Sequence, residues 1–111
     1  MASEQARRDR LGRVMANLAD AGLSQMLVCD PVSICWLTGF YVQPGERFLG
    51  LALRDGRDPA LVVNDLFPTP AGLGVETVGY RDTDDPLACV EALFDKGSEL
   101  GCDKTLAARF L

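Results

Sequence analysis

Arg47 closes the segment FYVQPGER, residues 40–47, and stands at the mouth of an apolar run that begins at Phe48. A guanidinium in that place, a few residues after the aromatic pair Phe40 and Tyr41, is equipped to hold a carboxylate in a bidentate fork. The plainer alternative is a pairing with Glu46 or with solvent. Phe40 and Tyr41 follow a helix stop and precede the Pro44-Gly45 turn. Aromatic side chains on such a rim loop can meet a ligand, and packing into the core is the alternative. Nothing near them can perform the chemistry itself. The chain has no histidine, so Ser-His or Cys-His activation and imidazole acid–base work are unavailable.

Other chemistry-bearing groups are weaker candidates. Cys29, Cys35, Cys89 and Cys102 form no C-x-x-C pair, and without histidine the commonest metal partner of a thiolate is missing, so four free thiols are expected. Gly72-Leu73-Gly74 precedes a strand-like run instead of joining a strand to a helix, and it lacks a phosphate-binding lysine. The run Arg81-Asp82-Thr83-Asp84-Asp85-Pro86 carries three carboxylates, but its position before a helix start points to capping and dipole complementarity, and its spacing is not that of a calcium loop. Asn64 and Asp65 read as turn residues.

The bulk numbers bound the molecule. A chain of 111 residues with 48% apolar content fits one globular domain. Eleven basic against sixteen acidic residues give a net charge of −5, which argues against nucleic acid or an acidic membrane as a general partner. No apolar run approaches the ~20 residues of a membrane span, and MASEQARRDR lacks the apolar centre of a signal peptide, so the expected location is the cytoplasm.

The elements that must position these groups follow from periodicity. Leu11, Val14, Met15 and Leu18 recur at helical spacing between Glu4 and Ala21, with Gly22 as the stop. Arg7, Arg8, Arg10 and Arg13 then fall on a solvated outer face, with a subunit or domain contact as the alternative. LSQMLVC, 23–29, reads as a buried strand. Asp30 caps and Pro31 opens a short helix that Gly39 ends, and Trp36 within it is expected in the core. Phe48–Leu53 and Ala60–Val63 are strands joined by an Asp55-Gly56 hairpin turn. An irregular loop spans Asn64–Gly74, and Val75–Tyr80 is a fourth strand. Asp85-Pro86 starts a helix marked by Leu87, Val90, Leu93, Phe94 and Leu100, ending at Gly101 or already at Lys96. Thr105–Leu111 begins another strand. Hairpin neighbours run antiparallel and helix-separated strands are usually parallel, so this is an α/β fold with a mixed β-sheet flanked by helices.

Taken in order, RLGRVMANLADAGLSQMLV, DPVSICWLTGF, PGERFLGLAL and PALVVND resemble the N-terminal domain of the creatinase and prolidase family. The resemblance covers nearly the whole chain and is most specific from Asp30-Pro31 to Leu37-Thr38-Gly39-Phe40, with Pro44-Gly45-Glu46-Arg47 in support. It implies a ribonuclease H-like domain, residues 1–111, that precedes a pita-bread catalytic domain absent from this sequence. The parent is then a hydrolase, an Xaa-Pro dipeptidase (prolidase) or aminopeptidase, in which two divalent metal ions (manganese, cobalt or zinc) sit in the second domain. No catalytic residue, metal ligand or cofactor is assigned to this stretch, which is expected to be inactive alone. The implied partners are its own catalytic domain, a second copy in a homodimer, and a proline-containing dipeptide or peptide. The implied role is to help form the dimer and to shape the substrate entrance, with Phe40, Tyr41 and Arg47 as rim residues and Arg47 as the contact for a substrate carboxylate. The alternatives are the corresponding domain of a creatinase-type amidinohydrolase, or a free-standing module that binds a small ligand or protein.

Overall fold

Helix α1, Glu4–Asp20, is nucleated by Ser3, whose hydroxyl accepts the Ala6 amide at 3.1 Å. It ends as anticipated at Gly22 (φ 79°), where the Leu23 amide reaches back to the Leu18 carbonyl at 2.8 Å. These elements belong to a computed structural model that describes residues 3–70 and 72–103. Strand β1, Gln25–Val28, leads into α2, Pro31–Thr38. There Asp30 accepts the Ser33 amide at 3.3 Å and its hydroxyl at 2.7 Å, and Gly39 (φ 81°) ends the helix with its amide on the Cys35 carbonyl at 2.7 Å. β2, Gly50–Arg54, and β3, Ala60–Asn64, form the expected hairpin, with Gly56 (φ 74°) in the left-handed region its turn requires. β4, Glu76–Tyr80, α3, Pro86–Leu93, and β5, Gly101–Cys102, complete the described chain.

The sheet order is β4-β3-β2-β1-β5, with only β2 reversed. Two connections differ from the rule for helix-separated strands. β1 and β2 are antiparallel although α2 lies between them, because α2 is only ~12 Å long and the loop after it returns to the end of the sheet it left. β3 and β4 are parallel with no helix among the described residues between them, and the irregular crossover sends Phe67 and Val75 onto the core instead.

Alternation along the strands divides the interior into two layers. Val28, Leu49, Leu51, Leu53, Leu61 and Val63 meet Ile34 and Leu37 of α2, with Leu11, Val14 and Met15 of α1 packed outside them. On the other face Leu27, Cys29, Phe48, Val62 and Tyr80 meet Val90 of α3. Trp36 departs from expectation. Ile34 and Leu37 take the inner face of α2, so the indole is 46% exposed and lies beneath the Arg10 guanidinium, 4.7 Å from the ring centre. Arg10 also bonds the Trp36 carbonyl at 2.9 Å, which gives one member of the α1 arginine group an internal task.

α3 stops at Leu93, short of both expected ends. The cause lies on β1: buried Gln25 donates to the carbonyls of Asp95 and Ser98 at 2.9 and 3.1 Å and accepts the Asp95 amide at 2.9 Å. Those bonds draw the chain into a turn that Asp95 closes on the Gly97 amide at 3.0 Å. The strand expected at Thr105–Leu111 lies outside the described residues. Among those described, no helix is long and apolar enough to cross a membrane.

All four cysteines are free thiols, graded from buried Cys29 to exposed Cys102. Burial, helped by the Asp103 carboxylate and by Cys102, pushes the Cys29 thiol up to about 12. At pH 8 its thiolate fraction is then about one in ten thousand. A thiol reagent at that pH should label Cys102 at once and Cys29 only after denaturation. Peptide mapping by mass spectrometry reads the order, and equal early labelling of both would contradict the burial assigned to Cys29.

Candidate functional site

Because only β2 is reversed, the carboxyl ends of β1, β3, β4 and β5 lie along one edge of the sheet together with the amino end of β2. Open α/β sheets bind ligands outside such an edge, since loops there can vary while the strands hold them in place. Asp30, Arg47, Asn64, Asp82 and Asp103 all sit at this edge, at or just beyond strand ends.

Arg47 does grip a carboxylate, and it belongs to the chain itself. Its Nε–H and Nη2–H donate to the two oxygens of Asp82 at 3.0 and 3.1 Å. Asp82 is fixed from behind by the side-chain amide of Asn64, which donates to the same Oδ1 at 2.8 Å. Asn64 is 1% exposed and is anchored in turn by the Leu66 amide on its own Oδ1 at 2.9 Å. The Arg47 and Asn64 bonds together hold the Asp82 carboxyl below its ordinary range, while its partner guanidinium is raised. Tyr80, two residues before Asp82, donates its buried hydroxyl to the Phe48 carbonyl at 2.6 Å. The carboxyl end of β4 thus holds both the side chain of Arg47 and the backbone beside it.

A guanidinium has five N–H donors, and Asp82 takes the Nε side. Apart from Asp82, the Nη1–Nη2 end makes no ion pair with a carboxylate among the described residues. Of the two aromatics, Tyr41 is 53% exposed. Phe40 is half-buried against the α1/α2 layer, and its amide donates to Thr38 Oγ1 at 3.1 Å. So Tyr41 stands at the surface and Phe40 supports the loop from below. Gly45 (φ 63°) and the Arg47 amide on the Pro44 carbonyl at 3.1 Å close the turn between them and Arg47.

Residue spacing alone concealed the partners. Asp82 reads as part of a capping run and Asn64 as a turn residue, yet the capping falls to Asp85, which accepts the Leu87 amide at 3.0 Å. Arg47 and Asp82 meet only because β3 and β4 run in parallel with Asn64 beside Tyr80. Asp103 is a second case. One of its oxygens accepts the amides of both Cys29 and Asp30 at 2.9 Å, tying the end of β5 to the start of α2.

Among the described residues no group of three or more carboxylates and thiols is arranged to hold a metal ion. A cleft of about 650 Å³ opens elsewhere, between α1 and the β3–β4 crossover. Charged side chains line its walls, among them Arg8 already bonded to Glu4 at 2.7 Å.

Edge, crossover and clamp describe a mixed α/β domain that presents polar side chains along one end of its sheet. The model of the Creatinase/Prolidase N-terminal domain matches residues 10–110, and the chain belongs to that family. It is 30% identical over 91 residues to YkvY of Bacillus subtilis, designated a dipeptidase, covering 79% of this chain and 25% of that protein. It is 31% identical over 90 residues to PepE of Mycobacterium tuberculosis, also designated a dipeptidase, covering 76% and 24%. Thus the chain spans about a quarter of the length of the curated relatives it matches. Among solved structures, the N-terminal domain of an Xaa-Pro dipeptidase from Streptococcus pyogenes superposes with a TM-score of 0.79 at 25% identity, over 92% of this chain and 82% of that one. The dipeptidase PepE of Mycobacterium ulcerans shares the fold, with a TM-score of 0.81 at 23% identity over 96% of this chain and 31% of that one.

Proposed function

We propose that this domain is the non-catalytic N-terminal part of a cytoplasmic, homodimeric Xaa-Pro dipeptidase or aminopeptidase, and that its sheet edge forms part of the substrate entrance. The catalytic half, with two divalent metal ions, is a separate domain of the intact protein. Those metal ions would supply Lewis acidity and an activated water for peptide hydrolysis, and the present domain limits what length of peptide can enter. Arg47 is the contact for the carboxylate of a short peptide, Tyr41 lines the approach, and Phe40 carries the loop. The observation that supports this reading is the Arg47 guanidinium, fixed on its Nε side and open at its Nη1–Nη2 end, on the same loop as exposed Tyr41.

In the intact protein, Arg47→Ala should lower kcat/KM for a dipeptide such as Gly-Pro about tenfold, the scale of one charge-assisted fork (~1.4 kcal/mol), with metal content unchanged. Steady-state assays with metal analysis decide it. An unchanged kcat/KM would remove Arg47 from the entrance. The isolated domain should hydrolyse no dipeptide with any of the three metals, and turnover by a homogeneous sample would overturn the division of labour.

A further inference from the structure

We infer that Asp82 is a positioning residue: backed by Asn64, it aims the open end of the Arg47 guanidinium at the substrate. This rests on the entrance reading above and adds a residue that touches no substrate. Three features of the geometry carry it. Asp82 takes two of the five N–H donors of Arg47, both on the Nε side, so the plane of the guanidinium is set and its far end points away from the clamp. Asp82 is itself held by a third bond from Asn64, a side chain that is buried and bonded to the Leu66 amide. And the Tyr80 hydroxyl on the Phe48 carbonyl holds the backbone next to Arg47 at the same strand end. An exposed ion pair alone holds a long side chain weakly, because ordering it costs rotamer entropy and solvent competes for both groups. Here the carboxylate is also held by a buried amide, a restraint that does not depend on the arginine. Less entropy is then lost when a second carboxylate docks at the open end.

A merely structural ion pair and a positioning residue make different demands on kinetics. In the intact peptidase, Asp82→Asn should raise KM for Gly-Pro about tenfold and leave kcat and metal content alone. In an Arg47→Ala background the same change should add nothing, because the residue it positions is gone. Asp82→Glu, which keeps the charge on a longer arm, should recover KM to within about threefold of the wild type. An equal increment in both backgrounds, or a loss confined to kcat, would overturn the assignment. The 111-residue chain gives a second readout: the Arg47 Nε–H resonance in a ¹H–¹⁵N spectrum near pH 6 should be sharp in the wild type and broadened in Asp82→Asn. Persistence of a sharp resonance in that variant would overturn the clamp. Broadening combined with a KM indifferent to Arg47→Ala would retain the clamp and overturn the entrance reading on which its purpose depends.

Discussion

Gly50→Val should destabilise the domain by about 2 kcal/mol and lower its melting temperature by about 10 °C. Gly50 opens β2 beneath the candidate site, and a Cβ built there would stand 2.8 Å from Phe48 Cζ and 2.9 Å from both Phe48 Cε2 and Leu27 Cδ1. Neither neighbour can give way freely. Both side chains are 3% exposed, and the Phe48 backbone is held by the Tyr80 hydroxyl on its carbonyl. Glycine in a strand marks such a close approach, and filling it forces rotamers out of their wells or the strands apart. Gly50→Ala should show a smaller loss in the same direction. Thermal melts followed by circular dichroism measure both. A valine variant melting within 2 °C of the wild type would mean that the approach of Phe48 does not constrain this position.

The site shows which parts of a chain can be read locally. α2 was legible to its last residue, because Asp30, Pro31 and Gly39 act through bonds and dihedrals within a few residues of themselves. The β2–β3 hairpin was legible for the same reason, through Asp55-Gly56. Arg47 reads as a fork for a substrate carboxylate or as a partner of Glu46 or solvent, and neither reading points to Asp82. Its partner Asp82 lies 35 residues away and is delivered by a parallel pairing whose crossover has no helix, a connection that periodicity does not mark. The early end of α3 is of the same kind. A helical pattern continues past Leu93, but Gln25, 70 residues earlier, satisfies the turn that replaces it. Trp36 failed for a different reason: the size of a side chain says that it prefers cover, and here Arg10 supplies cover at the surface.

Asp103→Ala should cost about 3 kcal/mol, a loss that strand propensity would not suggest. The Cys29 and Asp30 amides both donate to one oxygen of Asp103 at 2.9 Å, just where β1 ends and α2 starts. Alanine would leave two backbone donors without their acceptor, at ~1–3 kcal/mol each depending on how far water reaches them. Asparagine keeps an oxygen for the same two amides, so Asp103→Asn should cost only about 1 kcal/mol. The charge also acts on Cys29, where burial is the larger cause of the raised thiol pKa and Asp103 the second. A thiol raised from 9.0 to about 12 adds stability that is complete below pH 9 and declines as the pH climbs towards 12, because the unfolded chain loses that proton first. Between pH 7 and pH 10 that loss is set by the unfolded thiol, so wild type and Asp103→Asn should both lose about 1.4 kcal/mol from this group. Urea unfolding at the two pH values reads both effects: the alanine variant should be weak at both, and the asparagine variant should stay close to the wild type with the same gap between them. An alanine variant with the wild-type urea midpoint would show that the amides find another acceptor. In that event the start of α2, and the loop it carries towards Arg47, would be held by the Asp30 cap without help from β5.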